Sequence, residues 1–259
     1  MINKKRYAQA RDRAYNINDQ DQTIDKFITE RFVELVLEQK RPFQKALIIG
    51  DKNYFTEKCL NNIGIKNISH IDISNKYYDI NKNQKVTYLP ENEEIGDIGN
   101  FDLILGLSLV NFIEDIPKFL KQIKNNLDPG GLLLLNFFSE NNLIELKEMF
   151  YETELDLYDG ISQRFMPVID IREIGNLINS IGYSDTVVSR ENINYSYACF
   201  NNMLEHLRLM ACTNFLNTKD NKIINKKYIN NLIKYFENRK INGVFNLTYS
   251  ILITNSWKK

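Results

Sequence analysis

The 259-residue chain is poor in metal-binding side chains: it has three cysteines, Cys59, Cys199 and Cys212, and two histidines, His70 and His206. The cysteines form no CxxC pair and the histidines lie far apart, which argues against a zinc site and fits a reducing, cytoplasmic setting. Excess charge is missing too, since 33 basic residues balance 33 acidic ones. That removes the global electrostatic argument for a nucleic-acid partner. Apolar runs such as LLLLNFF, Leu132 to Phe138, are too short to span a bilayer, and the start MINKKRYAQARDR lacks the apolar centre of a signal peptide. No internal repeat or low-complexity linker is found. These absences predict a soluble chain in one domain, with no metal and no integral membrane segment.

What is present is an alternation of element types. TIDKFITERFVELVLEQK, from Thr23, has Ile24, Phe27, Ile28, Phe32, Leu35 and Val36 at helical spacing, with Asp21 or Thr23 available as a cap. After Pro42 come the short apolar runs ALIIG, ISHIDIS, KVTYL, FDLILGLSL and GLLLLNFF, separated by polar or helical stretches. Runs apolar on both faces and alternating with helices predict a parallel sheet covered on each side. Between the fourth and fifth, IPKFLKQIKNNL places Ile116, Phe119, Leu120, Ile123 and Leu127 on one helical face and stops at Asp128-Pro129-Gly130-Gly131. A helix over Ile171 to Tyr183, a strand over Thr186 to Tyr195 and a last strand, Phe245 to Trp257, complete a seven-stranded sheet. Helical stretches at 141–159 and 198–239 interrupt it. The expected plan is a Rossmann-like, doubly wound, mostly parallel sheet, with N-terminal helices over 1–41, a cofactor-binding core over 42–138, and helical cover insertions over 139–165 and 197–243.

The first strand-to-helix turn is where an open parallel sheet binds small molecules. Here it reads KALIIGDKNYF. A cofactor loop of this kind repeats glycine at the second and fourth positions after the first, where this chain has Lys52 and Tyr54. Asp72 follows Gly50 by roughly twenty residues, the spacing of an acid that accepts ribose hydroxyls. The bland reading of Asp72 is a turn or helix-capping residue. If either loop position needs a positive φ, each non-glycine residue there costs about 1–2 kcal/mol. Two such costs would weaken a micromolar site roughly a hundredfold.

The span from Phe101 to Phe138 resembles the signature of S-adenosylmethionine (SAM) dependent methyltransferases: a fourth strand beginning Phe-Asp, a small-residue turn, an acidic helix start, then Pro-Gly-Gly and the fifth strand. ARDRAYN, MPVIDIREIGNLINSIGY, YACFNNMLEHLRLMACTN and TYSILITNSW extend the likeness along nearly the whole chain. They resemble the subfamily of the mitochondrial and alphaproteobacterial assembly factor of respiratory complex I, related to the biotin-pathway methyltransferase that esterifies a malonyl carrier protein. The resemblance implies SAM held by Gly50, Lys52, Asp72, Ile73, Gly106 and Leu107, bound weakly or no longer because of the altered loop. It implies a protein substrate or assembly partner, with Arg164, Tyr197 and Asn214 on the substrate side. Relatives of this type are implicated in modifying an arginine on an iron-sulfur subunit. A non-catalytic assembly or binding protein is the rival expectation, and carrier-protein methylation, for which no dedicated basic groove is seen, is the third.

The chain departs from that pattern in several places. The His-Trp pair usual after the fourth strand is Asn111-Phe112, expected here as rim and packing residues. Ser-Pro-Phe has become Met166-Pro167-Val168, and the acid after the third strand has only Glu91, Glu93 and Glu94 as candidates. Tyr195, Tyr197, Tyr249 and Trp257 read by default as core aromatics, His206 as structural, and Lys4, Lys5, Arg6, Arg11 and Arg13 as a solvated helix face.

Overall fold

The structure, a computed structural model, describes residues 2–15, 24–51, 54–74, 76–77, 86–158, 160–211, 213–217 and 224–259. Its seven strands are β1 (Lys45–Ile49), β2 (Asn67–Asp72), β3 (Val86–Tyr88), β4 (Phe101–Gly106), β5 (Leu127–Phe138), β6 (Tyr183–Tyr197) and β7 (Phe245–Lys258). They form one sheet in the order β3-β2-β1-β4-β5-β7-β6. The first five are parallel, while β7 lies antiparallel to both β5 and β6. This is the doubly wound, mostly parallel sheet expected from the sequence.

Both faces are covered because alternate residues of the inner strands are apolar in both directions. On one face Leu47, Ile49, Ile104, Leu133 and Leu135 pack under α1 (Lys4–Tyr15), α4 (Ile116–Asn125) and α6 (Ile171–Ser180). On the other, Ile48, Leu103, Leu105 and Leu134 meet α2 (Ile24–Glu38), α3 (Phe55–Asn62), α5 (Ile144–Leu157), α7 (Phe200–Leu209) and α8 (Lys226–Asn238). α4 shows how the sequence builds such an element. Asp115 caps it by accepting from Lys118 N at 2.9 Å, Pro117 sits in its first turn, and Phe119, Leu120 and Ile123 are fully buried. Each such apolar side chain contributes roughly 1.5–3 kcal/mol.

Several boundaries differ from the expected ones. Helix α4 ends at Asn125, so Leu127 belongs to β5, paired with Phe101. The reason is Asn126, whose Oδ1 accepts from Ile98 N while its Nδ2 donates to Gly96 O and Gln122 O. Bound on both sides, it turns the chain out of the helix ahead of Asp128-Pro129-Gly130-Gly131, which then lies inside the long β5. Helix α6 stops at Ser180, and Tyr183 opens β6, a strand longer than its alternating centre suggested. The expected caps Asp21 and Thr23, Lys52 of the loop and Lys85 of the third run lie outside the described residues.

The register positions the site. Ile49 pairs with Ile71 on one side and Gly106 on the other. Gly50, Asp72 and Leu107 therefore emerge side by side at the carboxyl edge of the sheet, tied by Gly50 N to Ile71 O and Leu107 N to Ile49 O, both 2.9 Å. Among the described residues no helix is long and apolar enough to cross a membrane.

Candidate functional site

At this edge Asp72 is buried and both its oxygens are taken. Oδ1 accepts from Arg11 Nε at 2.9 Å and from Ser74 N at 2.8 Å, and Oδ2 accepts from Arg11 Nη2. Arg11 Nη2 also donates to Gly50 O at 3.1 Å. The two side chains are each 1% exposed, so this is a bidentate ion pair inside the protein, with the fork geometry guanidinium and carboxylate favour. Burial works against the Arg11 charge, but the adjacent carboxylate outweighs it and holds the guanidinium protonated above its ordinary range. Asp12, next along α1, accepts from Ser74 Oγ at 2.5 Å and Lys76 N at 3.2 Å, which fixes α1 on the exit of β2.

The loop after β1 is likewise engaged with its own chain. Gly50 has φ +88°, and a Cβ there would stand 2.6 Å from Leu109 Cβ, so Leu109 packs directly on the bare Cα. Asp51, 5% exposed, accepts from Thr56 N at 3.4 Å and Glu57 N at 3.0 Å. The amino end of α3, a natural anion site, is thus capped from within, and burial raises the Asp51 carboxyl above its usual range. Tyr54 takes the left-handed conformation, φ 54°, that makes a non-glycine residue costly. Its ring stacks on Tyr77 at 5.1 Å and meets His70 edge-on at 5.8 Å. Ile73, Gly106 and Leu107 are buried, Ile73 in the core on one face of the sheet and Leu107 in the core on the other. At Gly106 the constraint is packing, since a Cβ would lie 2.4 Å from Leu135 Cδ2 and 2.7 Å from Val110 Cγ2.

The basic start is not a solvated face throughout. Lys5, Arg6 and Arg13 are exposed, but Lys4 and Arg11 are buried with Tyr7, Ala8 and Ala14 on the inner face of α1. Lys4 Nζ binds Glu93 and donates to Phe112 O at 2.6 Å. Glu93 in turn accepts from Glu114 N at 2.8 Å and Asp115 N at 3.2 Å. Of the three glutamates considered after the third strand, Glu93 is therefore the buried one, and it anchors α1 and the start of α4.

A second region lies beyond the ends of β4 and β5. There a cavity of about 1160 Å³ is bounded by α5, α7 and residues 163–169 and 213–217. Its lining is mainly apolar, including Phe137, Phe138, Leu146, Phe150, Leu204 and Leu207, the character of a ligand pocket. Arg164 and Asn214 line it. Arg164 is paired with Glu154, a residue the sequence did not point to, and lies over the Tyr228 ring at 5.1 Å. Glu154 also accepts from Ser162 N at 2.5 Å and Tyr228 Oη at 3.1 Å. Burial raises the Glu154 carboxyl, but the Ser162 N–H, Arg164 and Tyr228 outweigh it and hold it below the ordinary carboxylate range. Asn214 Oδ1 accepts from Leu216 N at 2.8 Å.

Tyr197 is placed apart from these two. Its hydroxyl bonds to His206 Nδ1, joining β6 to α7, and its residue is not part of the cavity wall. Tyr249 is fully buried and Trp257 stacks with Arg41 at 5.1 Å. Asn111 lies on the cavity wall, where its amide braces the strand ends: Oδ1 accepts from Phe138 N at 2.6 Å and Nδ2 donates to Ser108 O at 3.2 Å.

An aromatic partition joins the two regions. Tyr7 stacks on Phe112 at 4.1 Å and meets Phe215 at 5.0 Å. The Arg11 guanidinium is 6.0 Å from the Tyr7 ring, and Phe112 lines the cavity. The partition is pinned by Asn3 N to Phe215 O, 2.6 Å, and by the bridge between Ile2 and Leu216. Among the described residues no cluster of histidine, cysteine and acid side chains is placed to hold a metal ion.

No family model matches the chain. Among curated proteins it is similar to "Arginine-hydroxylase NDUFAF5, mitochondrial": 26% identical to that of Dictyostelium discoideum, over 59% of this chain and 36% of the relative. To that of Rattus norvegicus it is 25% identical, over 72% of this chain and 56% of the relative. It is also 23% identical to malonyl-[acyl-carrier protein] O-methyltransferase 2 of Ilyobacter polytropus, over 80% of each. The chain thus spans between about a third and a little over half the length of those two arginine-hydroxylase relatives. Among solved structures, YcgJ of Bacillus subtilis superposes with TM-score 0.55 at 11% identity, covering 89% of this chain and 99% of that one. The plantazolicin methyltransferase BpumL, solved with SAH, gives TM-score 0.50 at 12% identity, covering 99% and 98%. The chain therefore has the Rossmann-like fold of these solved structures and is similar in sequence to arginine-hydroxylase NDUFAF5 and to a malonyl-[acyl-carrier protein] O-methyltransferase.

Proposed function

We propose that the chain works as a methyltransferase-superfamily protein of the complex I assembly type, receiving a segment of another protein in the cavity beneath its helical cover. The carrying observation is the cavity itself: about 1160 Å³, mostly apolar, and open beyond the strand ends. The outer face of α5, whose inner face lines it, bears Ile144, Tyr151 and Leu155 in one exposed stripe, 41%, 38% and 60% accessible. An exposed apolar stripe on the same helix that lines an apolar cavity suits a polypeptide better than an isolated small molecule. Relatives on this fold are named for hydroxylation in one case and O-methylation in the other, so the fold does not fix the reaction.

Within the same proposal, SAM binding is weak. A ribose can reach Asp72 only by displacing Arg11, and the Tyr7–Phe112 stack stands between that position and the cavity. The Arg11–Asp72 pair favours the second reading, an assembly protein that grips a partner without turnover. One measurement tests the cavity that both readings share, and a second tests the cofactor end on which they differ. Leu204→Trp, which fills the cavity, is expected to abolish support of complex I assembly in cells lacking the protein while leaving the melting temperature near wild type. Retained support would remove the cavity from the function. Calorimetric titration with SAM is expected to give weak binding that tightens at least tenfold in Arg11→Ala; sub-micromolar affinity in the wild type would rule out self-closure of the cofactor end.

A further inference from the structure

We infer that the segment received by the cavity is apolar and carries an acidic side chain, which Arg6 and Arg208 hold at the rim. This rests on the reading of the cavity as a protein-binding site and adds the chemistry of the guest. Six charged residues line the cavity: Arg6, Lys147, Arg164, Arg208, Glu114 and Glu173. Both acids have partners in the chain. Glu114 accepts from Ile2 N, and Glu173 Oε2 accepts from Asp170 N at 3.3 Å in the capping box of α6. Arg164 is neutralised by Glu154, and Lys147 Nζ donates to Glu140 O at 3.1 Å, its pKa lowered by burial.

Arg6 and Arg208 differ from these. Both are exposed, and among the described residues neither guanidinium has an ion pair or a hydrogen bond. They come from α1 and α7, which pack on each other. The rim thus offers two planar, permanently charged donors beside an apolar interior, and among the described residues no cysteine or histidine lines the cavity. Guanidinium forks match carboxylates, and their attraction grows when an apolar body displaces water around them. A cationic side chain entering the same mouth would meet two like charges and two acids already engaged.

The test is fluorescence anisotropy with labelled ten-residue peptides of leucine and phenylalanine carrying two glutamates, two glutamines or two lysines at the same positions. The glutamate peptide is expected to bind at least tenfold tighter than the glutamine one at low salt, with the margin shrinking as salt is raised. In Arg6→Ser/Arg208→Ser the margin is expected to fall below threefold. Equal binding of glutamate and glutamine peptides, tighter binding of the lysine peptide, or a margin unchanged in the double variant overturns the inference while the cavity reading stands. If no peptide binds, or if Leu204→Trp binds all three as the wild type does, the cavity reading itself falls and the inference with it. Decanoate displacing every peptide at equal or lower concentration would assign the rim to a small amphiphilic anion and overturn the protein guest.

Discussion

The ends of β1 and β2 and the ends of β4 and β5 belong to one sheet edge, yet they treat polar groups differently. At the first, every charged side chain discussed is answered from within the chain: Asp72 by Arg11, Asp51 by the amino end of α3, Asp12 by Ser74 and Lys76. At the second, the lining is mainly apolar and Arg164, Lys147, Glu114 and Glu173 are answered from within the chain, but among the described residues nothing answers the exposed Arg6 and Arg208. The comparison teaches that an acid at the right place in a sequence gives the position of a binding group but not its availability. Availability depends on a partner that can lie anywhere in the chain, here sixty-one residues away in α1.

The sharpest way to break that contrast is Asp72→Ala. If Asp72 served only a ligand, its removal would cost little stability; as half of a buried pair it strands Arg11, at about 3–5 kcal/mol. For a chain of this size that lowers the melting temperature by roughly 6–20 °C. Arg11→Met/Asp72→Leu is expected to recover much of the loss, because the two changes are coupled. A single variant melting within a degree or two of wild type would show that the pair is not buried in solution.

Glu154→Gln sharpens the other side of the comparison. The folded-state Glu154 carboxylate titrates below its unfolded range, so its stabilisation is fully present above about pH 4.3 and is lost as pH falls through the lower folded value. At pH 7 the variant is expected to be about 1.5–3 kcal/mol less stable, as for hydrogen bonds to a charged group. Urea unfolding across a pH series should show the gap closing below that range. A gap independent of pH would mean that packing, and not the charge, holds Arg164 in the cavity wall.

The smallest effect is expected at Tyr54→Gly. Glycine relieves about 1–2 kcal/mol of left-handed strain but forfeits a stack with Tyr77 of about 0.5–1.5 kcal/mol, so unfolding free energy should move by no more than about 1 kcal/mol. A large loss would make Tyr54 a packing residue in its own right and not a replaced glycine.

The mostly parallel sheet was legible in KALII, NISHID, FDLILG and LLLLNFF because strands buried on both faces leave unbroken apolar runs, whereas its strand order came only with the structure. The end of α4 was not, because it depends on Asn126 reaching back to Gly96 and Ile98, contacts that no local periodicity records. Gly50 and Asp72 were found by spacing, whereas Arg11 was read as one more surface cation. Its signal was present: with Tyr7 and Ala14 it falls at i, i+4 and i+7, the inner stripe of α1. A cation on an otherwise apolar stripe asks for a buried acid. Tyr197 was read by its place at the end of a strand and turned out to meet His206, whereas Glu154, which secures Arg164, lies in a helix where its charge looked ordinary.

The partition of Tyr7, Phe112 and Phe215 gives the two regions a shared boundary, and a shared boundary is a thermodynamic linkage. A guest that shifts Phe112 from one side is expected, through Tyr7, to alter the seat of Arg11 on the other. By whatever factor a cavity guest changes the affinity of the strand-end position for an adenosyl ligand, that ligand changes the affinity for the guest by the same factor. Two titrations, each run with and without the other ligand, would measure that factor. A value of one would mean that the ring stack moves with neither.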